Sequence, residues 1–88
     1  LKTPRPTTVD FETHLIEQRP QYPPKPVGVS IKPWGRKAQY YAWGHPTENN
    51  CTQEVAVYAL REAYRTPDGV LFQNSKFDVD VAEEHMGL

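Results

Sequence analysis

Cysteine is almost missing from this chain. Cys51 is the only one, which excludes an intrachain disulfide and a thiolate zinc cluster. A reducing, cytosolic setting is therefore expected. No apolar run approaches the ~18 residues of a spanning helix, so a membrane partner is not expected either. The start lacks the charged-then-apolar pattern of a signal peptide. It also lacks an initiator methionine, Leu1 standing first, and the chain is expected to be a piece of something longer. A strong charge of either sign is absent. The net charge of −1 gives no global positive field, so nucleic acid would have to bind through a local site or through cations. Glycine-rich phosphate loops are absent as well, because Gly28, Gly35 and Gly44 stand alone.

What is present fits one small folded domain. Eighty-eight residues with 38% apolar and 24% charged side chains of mixed sign can form a globular core, although such a short chain buries only a little over ~60% of its unfolded surface. Most of the nine prolines precede residue 34 and make the first third loop-rich. Residues 1–6 read as an extended lead-in. Thr7 to Thr13 reads as a strand with β-branched and aromatic residues around two acids. Residues 14–26, with prolines at 20, 23, 24 and 26, read as a loop. Val27, Val29 and Ile31 alternate at period two, as in a half-buried strand. Pro33 to Arg36 turns the chain, and Ala38 to Trp43 is the next strand of a hairpin.

Asn50 followed by Gln53 matches a capping box and predicts a helix from about Cys51 to Arg65, with Ala56, Val57, Leu60, Ala63 and Tyr64 inward. Thr66 to Gly69 is a turn. Val70-Leu71-Phe72 reads as a strand buried on both faces. Asn74 or Ser75 can cap a second helix over about residues 76–86, with Phe77, Val81 and His85 on one face and Gly87 as its C-cap. The order is strand, strand, strand, helix, strand, helix. An α/β fold follows, with three antiparallel strands and a helical crossover to a fourth strand parallel to the first. The first and fourth strands would be central.

Asp10 and Glu12, two apart in a strand, project from one face, with Phe11 on the other. Facing carboxylates repel unless a cation or hydrogen-bond donors lie between them, and oxygen ligands of this kind suit Mg²⁺ or Mn²⁺. Such pairs are more often simply solvated. Asp78, in the first turn of the second helix, has a reason to exist as a partner of the helix dipole alone. His14, His45 and His85 lack ligand spacing with Cys51, which argues against zinc. Cys51 is expected to pack in the first helical turn. Trp34, Tyr40, Tyr41 and Trp43 read as hairpin packing in preference to base-stacking platforms.

Two strings go further. Val9-Asp10-Phe11-Glu12-Thr13 resembles the first motif of the DEDD (DnaQ-like) 3′-5′ exonucleases, the proofreading domains of family A DNA polymerases and the ribonuclease D-type enzymes. Leu71-Phe72-Gln73-Asn74-Ser75-Lys76-Phe77-Asp78 resembles their second motif, and Pro23 to Ser30 with Tyr41 to His45 looks like the hairpin of phage and bacterial members.

The resemblance implies a ribonuclease H-like fold, of which residues 1–88 would be the N-terminal part, with the fifth strand and later helices missing. It implies two-metal-ion hydrolysis of phosphodiesters at a single-stranded DNA 3′ end, RNA being possible, in a chain that also carries a polymerase domain. The setting would be the cytoplasm of a bacterial or phage-infected cell. Asp10, Glu12 and Asp78 would be catalytic metal ligands for Mg²⁺ or Mn²⁺, two ions being expected in the complete domain. Thr13, Leu15, Ile16 and Asn74 would meet the substrate, although loop packing accounts equally well for Leu15 and Ile16. The third motif, Tyr- or His-x-x-x-Asp, has no counterpart after Asp78, so the chain alone would be inactive. The alternative is a non-catalytic nucleic-acid-binding or structural scaffold of the same fold.

Overall fold

The computed structural model describes residues 3–13 and 23–88. Leu15, Ile16 and the loop over 14–22 lie outside the described residues. Six elements follow in the order β1 (Thr7–Thr13), β2 (Pro26–Lys32), β3 (Gln39–Ala42), α1 (Gln53–Tyr64), β4 (Val70–Phe72) and α2 (Ser75–Met86). They form a small α/β domain with one mixed sheet, ordered β3-β2-β1-β4. β1 to β3 are antiparallel neighbours, and β4 runs parallel to β1, as expected of a helical crossover.

Period-two burial on β1 and β2 supplies the core. Val9, Phe11, Val29 and Ile31 face the helices, and Ala56, Leu60 and Ala63 of α1 meet Val81, Ala82 and Met86 of α2 over them. The β2–β3 hairpin turns at Pro33–Arg36, closed by Arg36 N–H donating to Pro33 O at 3.1 Å. Gly35 there has φ +71°, the left-handed conformation that favours glycine in a turn. Thr66–Gly69 forms the turn before β4, and Thr7 N–H donates to Gly69 O, which starts the parallel pairing.

Several expectations are corrected. β2 begins at Pro26, inside the stretch read as loop, because a strand's first residue can lack a ladder donor. β4 is an edge strand among the described residues and is not central. Leu71 is 56% exposed, since helices cover only the face holding Val70 and Phe72. Helix α1 is capped by Thr52, whose Oγ1 accepts from Val55 N–H, and not by Asn50. Asn50 serves β3 instead. Its Oδ1 accepts from Ala42 N–H and its Nδ2 donates to Tyr40 O, so one amide side chain imitates a neighbouring strand.

Cys51 consequently precedes the helix, half-buried, with Sγ 3.7 Å from Ala42 O. Tyr64 is 40% exposed, with its ring edge-on to Phe72. In α2 the buried face is Asp78, Val81, Ala82 and Met86, with Phe77 and His85 half-buried at its margin. Gly87 ends α2 in the left-handed conformation, as expected. Trp34 sits exposed at the hairpin tip and does not pack. Among the described residues no helix is long and apolar enough to cross a membrane.

Candidate functional site

The alternation that buries Val9 and Phe11 turns Asp10 and Glu12 to the helix-free face of the sheet, both exposed. Register places Asp10 opposite Ser30 and Glu12 opposite Gly28, and Tyr40 of β3 lies opposite Ser30 on the same face.

Asp78 arrives from the other side of β1. β4 pairs with β1 only as far as Phe72↔Val9, after which the chain turns into α2. The ladder would leave the Phe11 N–H without a partner. Asp78 Oδ1 accepts from it at 3.4 Å, and Oδ2 accepts from the backbone N–H of Asn74 at 2.9 Å. Asp78 is 1% exposed, so its carboxylate is tied to the backbone residue that separates Asp10 from Glu12. The cost of burying it is offset by these two donors.

The charges act on one another. Asp10 has its carboxyl pushed above the ordinary range, first by burial, then by the Asp78 and Glu12 carboxylates. No hydrogen bond or ion pair joins Asp10 to another described residue.

Glu12 is engaged elsewhere. The Tyr40 hydroxyl donates to Glu12 Oε2 at 2.7 Å, and His45 Nε2 lies 2.9 Å from the same hydroxyl and 3.7 Å from Glu12 Oε1. Tyr40 has one hydroxyl proton and gives it to Glu12, so it accepts from His45 Nε2–H; that assigns the proton-bearing nitrogen of a neutral His45. Burial and the bonded Glu12 push the Tyr40 phenol up to about 12. Glycine at 28 makes the arrangement possible. A Cβ there would stand 2.3 Å from the Tyr40 Oη. Two asparagines fix the supporting loop: Asn50 on β3, and Asn49, whose side chain bonds both the N–H and the C=O of His45. Glu12, Tyr40, His45 and Pro46 to Glu48 line an open cleft of about 360 Å³.

Of the residues singled out in the sequence, the fold brings Asp10, Glu12 and Asp78 to the same end of β1. Thr13 follows them, half-buried, where the β1–β2 register shifts. Asn74 is exposed, and its side chain makes no cap bond; the strand–helix turn is held through its backbone N–H by Asp78. In the sequence Tyr40, His45 and Gly28 show only hairpin packing, a histidine without ligand spacing and an isolated glycine. Their relation to Glu12 depends on strand register, and alternation on β3 was the one signal that could have put Tyr40 on the acidic face.

Asp10 and Asp78 suit a divalent cation: one is an exposed carboxylate repelled by its acidic neighbours, the other a pre-positioned one with lone pairs to spare. Glu12 as placed does not, because its carboxylate is turned to the hairpin and bonded there by Tyr40. In keeping with this, no three His, Cys, Asp or Glu side chains among the described residues are grouped to hold a metal ion. No protein-family model, curated protein or solved structure matches the chain.

Proposed function

We propose that this chain carries the opening part of a 3′-5′ exonuclease domain of the DEDD type, with Asp10, Glu12 and Asp78 as its carboxylate site for Mg²⁺ or Mn²⁺. The substrate would be a single-stranded DNA 3′ end, and the partner a polymerase domain in a longer chain. The observation that carries the reading is the bond from Phe11 N–H to Asp78 Oδ1, made across 67 positions of sequence and between the two segments that resemble the family's motifs. The order of elements, with β4 parallel to β1 and α2 starting beside it, suits a ribonuclease H-like sheet.

In this reading Asp78 is rigid, fixed by two backbone donors, and Asp10 is the exposed group facing solvent. A bound divalent ion supplies Lewis-acid chemistry at a phosphodiester. The chain's own contribution is to hold negative oxygen atoms where such an ion relieves their repulsion. Titration with Mn²⁺, followed by the loss of the free-ion electron paramagnetic resonance signal, tests it. The chain is expected to bind and Asp10→Ala to bind far more weakly. Identical responses would discard the site and favour the non-catalytic scaffold.

A further inference from the structure

Glu12 and Asp78 lie toward different sides of β1. Strand order is β3-β2-β1-β4, and Tyr40 reaches from β3 across the bare backbone of Gly28 to meet Glu12. Asp78 comes from the helix that follows β4, on the opposite side of β1. Both Glu12 oxygens face the hairpin: Oε2 accepts from Tyr40 at 2.7 Å and Oε1 lies 3.7 Å from His45 Nε2. The holding group is itself built in, since His45 donates to Tyr40 and Asn49 bonds both backbone polar groups of His45.

We infer that Tyr40 is a positioning residue that parks the Glu12 carboxylate on the β2 side of β1, so that a divalent cation gains Glu12 only by displacing the Tyr40 hydrogen bond. The inference rests on the carboxylate-site reading above. It explains why the three acids share one end of β1 without forming a ready cluster. It also gives His45 a role: it fixes the Tyr40 hydroxyl so that its proton points at Glu12.

The test is Mn²⁺ binding to the chain, to Tyr40→Phe, to Glu12→Gln and to the double variant. Tyr40→Phe keeps the ring over Gly28 and removes only the hydroxyl, and Tyr40 is 42% exposed, so the fold is expected to stand; circular dichroism checks that. Affinity is expected to rise roughly tenfold, the low end for removing a competing hydrogen bond to an ionised group. In the Glu12→Gln background the same change should have no effect. If the chain binds Mn²⁺ and Tyr40→Phe binds equally or less tightly, parking is refuted while the carboxylate site survives. If neither binds, the site itself is refuted and parking with it.

A readout without affinity comes from nuclear Overhauser contacts between the Tyr40 ring and the Glu12 γ-protons. They are expected in the cation-free chain and should vanish on saturation with Mg²⁺. Their absence at the start, or their persistence at saturation, overturns the inference.

Discussion

Replacing Asp78 tests the fold and the candidate site together. In Asp78→Ala the Phe11 N–H loses the only acceptor it has among the described residues on the β4 side, in a buried setting where an unpaired donor costs about 1–3 kcal/mol. The 3.4 Å length of that bond argues for the lower half of the range. The Asn74 N–H also loses its partner, but Asn74 is exposed and water can replace the carboxylate, so this adds roughly 0.5–1 kcal/mol. A small void adds to the loss, and relief from burying an anion subtracts from it.

The sum is a destabilisation of about 1.5–3 kcal/mol, a fall in Tm of roughly 6–24 °C for a domain of this size. Urea unfolding followed by circular dichroism measures it, with an unchanged m-value expected. Asp78→Asn keeps one acceptor oxygen and should lose about half as much. It also removes the charge beside Asp10, so the Asp10 carboxyl should titrate closer to its ordinary value near 3.8, read from carboxyl carbon shifts. An Asp78→Ala chain within about 0.5 kcal/mol of the parent, or an Asp10 indifferent to Asp78→Asn, refutes the convergence of these segments.

Two further outcomes follow from other contacts. Asp10 holds its proton more tightly in the folded chain than in the unfolded one, so stability should fall as pH rises from about 3.8 through the raised folded value, and stay lowered above it. Asp10→Asn should therefore stabilise the chain at neutral pH, by only about a few tenths of a kcal/mol because the group is exposed, and not at pH 3; urea midpoints at the two pH values check the sign. Thr52→Ala should cost about 0.5–1 kcal/mol through the lost α1 cap, whereas Asn50→Ala should chiefly speed amide exchange at Ala42 on β3.

The elements were largely legible because they rest on local rules. Alternation over Val27–Ile31, the Ala56–Leu60–Ala63 spacing and Gly87 each find the expected element. What failed depends on contacts distant in sequence. Asn50 looked like a cap because Gln53 follows it by three, but β3 claims its amide and leaves the helix to Thr52. The α2 face is hidden from periodicity because a buried carboxylate counts as polar, and the Phe11 and Asn74 N–H groups explain why Asp78 points inward. Leu71 looked like core because three apolar residues in a row carry no facial information. At the candidate site, the shared face of Asp10 and Glu12 could be read from spacing. Glu12's attachment to Tyr40 and His45 could not, since it requires the register of three strands.

Gly28 ties two positions of the chain to a common fate. A methyl group there would collide with the phenol that crosses it, so any relative that acquires a side chain at 28 must shrink or redirect the residue at 40. Sequences sampled from nature should then show paired change, glycine keeping company with a large ring and bulkier residues with small ones. Wherever that pairing is relaxed, the acid at 12 should be free of its keeper.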